Sequence, residues 1–137
     1  MAGNFALDIA KWAEKAKGRM DLVVRKISLD LFSRIILRSP VDKGRFRGNW
    51  QVAINEIPAG VLELDDKSGA ATVSKATAEV LNVKAGDVIW LVNNLPYGPR
   101  LENGWSGQAP SGMVAITVTE YGAVVAQAVD DAIKEKP

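Results

Sequence analysis

The chain of 137 residues contains no cysteine and no histidine. Without cysteine there is no disulfide framework and no thiolate nucleophile. Without histidine, the commonest metal ligand and the commonest general base near neutral pH are missing together. The oxygen ligands that remain never occur at the Asp-x-Asp-x-Asp-Gly spacing of a calcium loop. Gly44-Arg-Phe-Arg-Gly48 has neither the lysine nor the following helix of a phosphate-binding loop. No apolar run reaches the ~18 residues that a membrane span needs, and no signal-like segment opens the chain. Internal repeats and low-complexity tracts are also lacking. Acid–base catalysis by carboxylates needs two of them positioned together. Asp65-Asp66 and Asp130-Asp131 are sequence neighbours, which on a helix do not face each other, and Glu102 is alone in its segment. These absences argue against an enzyme, against a bound cofactor or metal, and against a membrane partner.

What is present is ordinary for a globular chain, with 47% apolar and 24% charged residues. Its length suits one domain, 1–137, that buries roughly two thirds of its unfolded surface. The net charge of +1 hides an asymmetry. Residues 1–47 hold eleven Lys/Arg against five Asp/Glu, a surplus of +6, and the remainder carries −5. A molecule basic on one side and acidic on the other can stack head-to-tail or meet partners of opposite sign. A solvated helix face is the plainer account of the same lysines.

Phe5, Ile9, Trp12, Ala16, Met20, Val23, Ile27 and Leu31 step by three or four, which predicts one long helix over 4–38. Asn4 can cap its start, Gly18 is a soft point, and Ser39-Pro40 stops it. A second apolar line (Leu29, Phe32, Ile36) predicts wider burial of the later half. Phe46, Gly48, Trp50, Val52 and Ile54 alternate with polar or small residues, predicting a strand. Pro58-Ala-Gly reads as a turn and Val61–Leu64 as a short returning strand. Asp65 to Val83 reads as a second helix, capped by Ser68 or Asp66, with Val73, Ala76, Val80 and Leu81 on its apolar face. After a turn at Lys84–Asp87, Val88-Ile-Trp-Leu-Val92 is apolar throughout, which predicts a central strand covered on both faces. A third helix follows over 112–135, with Met113, Ile116, Val124, Ala128 and Ile133 on one side. Ile116-Thr-Val-Thr is β-branched and weakens its first turns. The sum is an α+β fold: a long N-terminal helix and two further helices packed on a small, mainly antiparallel sheet.

Between the last strand and the last helix lies Tyr97-Gly-Pro-Arg-Leu-Glu-Asn-Gly-Trp-Ser-Gly-Gln-Ala-Pro-Ser-Gly-Met-Val114. Gly98, Pro99, Gly104 and Gly107 exclude a helix interior, and Tyr97, Leu101, Trp105 and Met113 give the segment something to bury. An ordered loop around a large aromatic shapes a surface for something else. This segment and Arg38-Ser-Pro-Val-Asp-Lys-Gly-Arg-Phe-Arg-Gly-Asn-Trp50 together resemble the tail-completion (minor tail, neck) proteins of tailed bacteriophages. In those a "Ser-Pro-Val-Asp-x-Gly-x-x-Arg-x-x-Trp"-like segment follows the first helix. A "Tyr-x-x-x-Leu-Glu-x-Gly" box comes later, here Tyr97, Leu101, Glu102 and Gly104. One branch continues it into "Trp-Ser-x-Gln-Ala-Pro-x-Gly-Met-Val", here Trp105 to Val114. Both boxes stand in the expected order and spacing, and Lys43 and Phe46 depart from the small or aliphatic residues common in the first.

The resemblance implies a non-enzymatic virion protein at the head–tail junction, made in the host cytoplasm and acting as one copy in a ring. Sixfold symmetry follows from the same likeness. The implied partners are further copies of itself, the connector or adaptor, the tail terminator and the tail-tube proteins. A tail-tube terminator, a head-side adaptor and a non-specific DNA-binding module are the alternatives.

The residues singled out for contact are Arg34, Arg38, Lys43, Arg45, Arg47, Tyr97, Arg100, Glu102 and Trp105. Arg34 and Arg38 lie one turn apart at the end of the first helix, where cations also offset the helix dipole. With Lys43, Arg45 and Arg47 they can line a solvated edge, meet an acidic neighbour subunit, or face DNA in a channel, since phosphate attraction needs only clustered charge. Glu102 can tether glycine-rich backbone, pair with Arg100 or a basic residue of the first box, bridge subunits, or act chemically. Trp50 and Trp90 alternate as core residues and Trp12 lies on the helical stripe. Trp105 either covers its own sheet or anchors a subunit contact, a role in which tryptophan is enriched.

Overall fold

Helix α1 (Met20–Arg38) organises the molecule, which a computed structural model describes over residues 19–134. Asn4, Phe5, Ile9, Trp12, Ala16 and Gly18 lie outside the described residues. With 19 residues, α1 is roughly 28 Å long and touches two separate cores in succession. Its first half sets Val23 and Ile27 against Val124, Val125, Ala128, Val129 and Ala132 of α6 (Tyr121–Lys134). Its second half sets Ile35 and Ile36 against Phe46, Trp50, Ala76, Leu95, Ala109 and Met113. The second apolar line is therefore real: Ile36 is fully buried and Leu29 and Phe32 are half-buried. Ser39 leaves the helix in an extended conformation, as the following proline requires. Buried there, its hydroxyl donates to Ile35 O and accepts the indole N–H of Trp50.

Among the described residues the sheet is antiparallel and has two strands, β1 (Trp50–Ile54) and β2 (Ile89–Asn93), paired Trp50↔Asn93 through Ile54↔Ile89. Helix α3 (Ala70–Val80) lies along β1 and against α1. The fold is thus α+β, with helices over one face of a small antiparallel sheet.

Several sequence expectations are corrected. The strand expected from Phe46 begins only at Trp50, because Arg45–Gly48 forms a helical turn, α2. Gly44 turns the chain into it with φ 91°, and a Cβ there would stand 2.6 Å from the backbone nitrogens of Asp66 and Lys67. A Cβ at Gly48 would stand 2.4 Å from Leu64 O, so the glycines let α2 press on the 64–67 segment. Val61–Leu64 is not a returning strand. The amide side chain of Asn49, fully buried, takes the place of a strand partner: Oδ1 accepts from Leu62 N at 2.7 Å and Nδ2 donates to Leu62 O at 3.1 Å. The second helix starts at Ala70 rather than Asp65, and Leu81, placed on its apolar face, is exposed because the helix has ended there.

Among the described residues strand β2 is not central. It pairs there with β1 alone, and Val88 and Trp90 are exposed, so Trp90 is not core as Trp50 is. The third helix is two: α5 (Val114–Val118) and α6. Thr117 and Thr119 donate their hydroxyls to Met113 O and Ile116 O, local bonds that favour ending a helix rather than extending it. Ile133, expected on the buried side, is exposed at the far end of α6. Within the glycine–proline loop, Gly98–Glu102 forms one helical turn, α4. Pro99 sits in its first turn, where no N–H is missed.

Candidate functional site

The two sequence boxes, some fifty residues apart in the chain, face each other across one groove. The first box supplies Pro40 to Phe46, and the second supplies Tyr97, Leu101, Trp105, Ser106 and Gln108, around a volume of about 470 Å³. Gln108 fastens the two sides. Its Oε1 accepts from Val41 N at 2.8 Å and its Nε2 donates to Val41 O at 3.0 Å, the pair of bonds that a strand neighbour would make. Sequence reasoning gave Gln108 no role, because nothing in a glycine–proline loop marks which amide closes on a distant backbone.

Phe46 is buried and packs edge-on to Trp50, with ring centres 5.8 Å apart, while its other neighbour is the half-open ring of Tyr97 at 5.7 Å. This aromatic row runs from the core into the groove wall. Trp105 stands at the groove's rim and is 72% exposed, so it does not cover its own sheet. The Arg100 guanidinium lies over its ring at 5.0 Å, a contact worth about 0.5–1 kcal/mol at an exposed site. The same stretch is closed by the backbone bond from Trp105 N to Arg100 O. The indole is therefore held in place yet open to contact.

Glu102 holds the loop from inside. Oε1 accepts from Met113 N and Val114 N, both at 3.0 Å, and Oε2 accepts from Ala115 N at 2.9 Å. Partial burial pushes this carboxyl's pKa up, but the three backbone N–H groups outweigh it and the net shift is downward. Of the roles open to Glu102, the internal tether is the one its geometry fills. It pairs with neither Arg100 nor a cation of the first box.

The five cations divide. Arg38 and Arg34 turn to Glu120, and Arg34 also bonds Asp30 at 2.6 Å. Arg47 donates to Leu37 O, Ser39 O and Lys67 O, stapling the end of α1 to the segment before α3. Its Nε is a buried polar atom without a partner. Lys43 and Arg45 alone reach the groove, where Arg45 makes a loose 3.9 Å approach to Glu63. Of the nine residues read from the sequence, Lys43, Arg45, Tyr97 and Trp105 line the groove and Arg100 braces it. Glu102 shapes it from behind, and Arg34, Arg38 and Arg47 serve the fold.

The adjacent acid pairs have structural work. Asp66 is buried and takes Gly69 N, Thr72 N and the Thr72 hydroxyl, which together overcome burial and lower its pKa. Asp130 pairs with Lys134 and Asp131 with Gln127 along α6. Among the described residues no group of three or more acids stands close enough to hold a metal ion, and no helix is long and apolar enough to cross a membrane. Comparison with protein-family models, with curated proteins and with solved structures gives no match.

Proposed function

We propose that the chain is a structural virion protein of a tailed phage, completing the tail or joining it to the connector as one subunit of a ring. Six copies is the number the family resemblance implies. A tail-tube terminator and a head-side adaptor are variants of the same joint. The observation that carries the reading is the convergence of both resemblance boxes on one groove, whose rim presents an ordered and mostly exposed Trp105. Indoles braced in this way are the usual anchors of protein contacts. DNA binding gains less support, because three of the five cations that would form a phosphate track are already engaged within the chain.

The test is made in the phage that encodes the chain, with Trp105→Ala and Arg100→Ala introduced together. Electron microscopy of the lysate is expected to show heads and tails that accumulate unjoined while the protein itself remains folded. Normally joined, infectious particles from the double variant overturn the reading. Binding of the purified protein to duplex DNA with steep salt dependence would instead favour the DNA-binding alternative.

A further inference from the structure

Strand β2 is the element whose sequence and surroundings disagree most. Ile89-Trp-Leu-Val-Asn93 carries no charge and no proline, the composition of a strand with neighbours on both edges and cover on both faces. Among the described residues it has one neighbour. The bond from Asn55 N to Val88 O fixes the phase of the ladder. With the register Ile54↔Ile89, Ala53↔Trp90 and Val52↔Leu91, alternate residues turn their backbone groups outward. Val88, Trp90 and Val92 therefore face β1, and Ile89 and Leu91 direct N–H and C=O away from it. Among the described residues, no backbone bond outside the ladder reaches Ile89 or Leu91, and no helix packs on β2 as closely as α3 packs on β1. At the far edge of β1 the 60–62 segment is held by side chains: Asn49, just before the strand, bonds Leu62, and Gln51 Nε2 donates to Gly60 O. On the face turned from the core, Trp90 is 37% and Val88 55% exposed. Sheet proteins guard bare edges with lysine, proline or a bulge, and β2 has none of these.

We propose that β2 pairs antiparallel with β2 of a second copy, extending the sheet to four strands about a twofold axis at Trp90. Ile89 then lies opposite the second copy's Leu91, and Leu91 opposite its Ile89, so the four outward donors and four outward acceptors of the two strands meet one another. A second copy fits because the strand is complementary to itself. No charges of one sign oppose each other, since Asp87 falls opposite the amide of Asn93. The two Trp90 rings face one another at a non-hydrogen-bonded site, where Cα atoms are about 4.5 Å apart and aromatic pairs are favourable. A heterologous continuation onto the far edge of β1 meets the 60–62 segment, which the side chains of Asn49 and Gln51 hold beside that edge. The strand is short, so the contact belongs to the small, transient class and the dimer depends on concentration. The proposal does not depend on the joint reading, whose test scores particles and not the mass of the free protein.

Sedimentation equilibrium of the full chain, from low micromolar to near millimolar, is expected to show a reversible monomer–dimer equilibrium. Near-ultraviolet circular dichroism is expected to gain a coupled-indole signal as the dimer forms. Trp90→Lys and Trp90→Glu, each checked by thermal melting for a folded state, are each expected to stay monomeric. Mixed in equal amounts they are expected to dimerise, because a lysine then faces a glutamate across the axis. A wild type that stays monomeric, an assembly that neither substitution weakens, or a mixture that fails to associate overturns the proposal. Ile89→Pro supplies a second arm should both charged variants misfold. It deletes one outward N–H and no bond to β1, so loss of the dimer is expected and retention overturns the pairing.

Discussion

Arg38 grips Glu120 with both arms: Nη1 lies 2.5 Å from Oε1 and Nη2 lies 2.8 Å from Oε2. Arg34 adds a third approach at 3.2 Å. Glu120 stands at the corner between α5 and α6, so this pair ties the last turn of α1 to the place where the C-terminal helix breaks. It also joins the two sides of the charge asymmetry of the sequence, since two cations from the first third meet an acid from the last.

Hydrogen bonding from Arg38 in the first place, and from Arg34, pulls the Glu120 pKa from 4.5 down to about 2. A carboxyl with a lower pKa in the folded than in the unfolded chain adds stability that is fully present above the unfolded value. That stability is lost as pH falls toward the folded one. The melting temperature of the wild type should therefore exceed that of Glu120→Gln by most above pH 4.5, and the gap should close on approach to pH 2. A gap that stays constant over that window would mean that the ion pair adds nothing.

Glu102 makes a different kind of prediction, because its partners are backbone donors. Removing the carboxylate leaves three N–H groups at the start of α5 without their acceptor. Glu102→Ala is expected to lower stability by about 2 kcal/mol, in the range of a lost helix cap, and Glu102→Gln by less, since one oxygen can still accept. Denaturant melts of the two variants measure this directly. Equal losses would show that packing rather than the acceptor matters.

Gly112 gives the loop its sharpest steric demand. It has φ 81°, and a Cβ there would lie 2.5 Å from Glu102 O and 2.7 Å from Glu102 Oε2. Gly86 has φ 96° with nothing within 4 Å of its notional Cβ. Gly86→Ala should therefore cost only the left-handed backbone penalty of about 1–2 kcal/mol. Gly112→Ala should cost clearly more, because the same penalty comes with displacement of the Glu102 tether. Similar melting temperatures for the two would refute the close approach.

The sequence was legible where a single local rule decided the outcome. Ser39-Pro40 ended α1, Trp50 to Ile54 alternated into β1, and Asp66 supplied acceptors at the start of α3. It was misleading where distant residues decided. The period of two through Phe46 and Gly48 matched a strand, but Gly44 had to pass close to Asp66 and Lys67, and that contact demanded a turn. Asn49 is one of the polar residues alternating through that pattern, yet it precedes the strand and its amide replaces a strand partner for Leu62. The apolar run of β2 indicated burial on both faces, but among the described residues it has only β1 beside it, and Val88 and Trp90 stay exposed. For the groove, residue types pointed to Lys43, Arg45, Tyr97 and Trp105. Which cations stay free depended on Glu120 and on three backbone carbonyls, positions that local pattern does not connect.

That division of the cations is itself testable. Arg47 donates to three carbonyls from two stretches of chain, Lys67 O at 2.7 Å and, at the end of α1, Leu37 O at 2.9 Å and Ser39 O at 2.8 Å. Arg47→Ala leaves these acceptors without a donor and opens the seam between α1 and the segment before α3, for an expected loss of about 2–3 kcal/mol. Arg47→Lys should recover only part of it, because a single ammonium cannot span the fork of a guanidinium. Arg45, half-exposed with only a 3.9 Å approach to Glu63, should tolerate alanine within about 0.5 kcal/mol. If Arg45→Ala proves as damaging to the melt as Arg47→Ala, Arg45 is part of the fold and not a free edge of the groove. If instead its stability is unchanged while particle joining fails, the damage lies at the contact surface, the outcome expected of a residue that faces a partner.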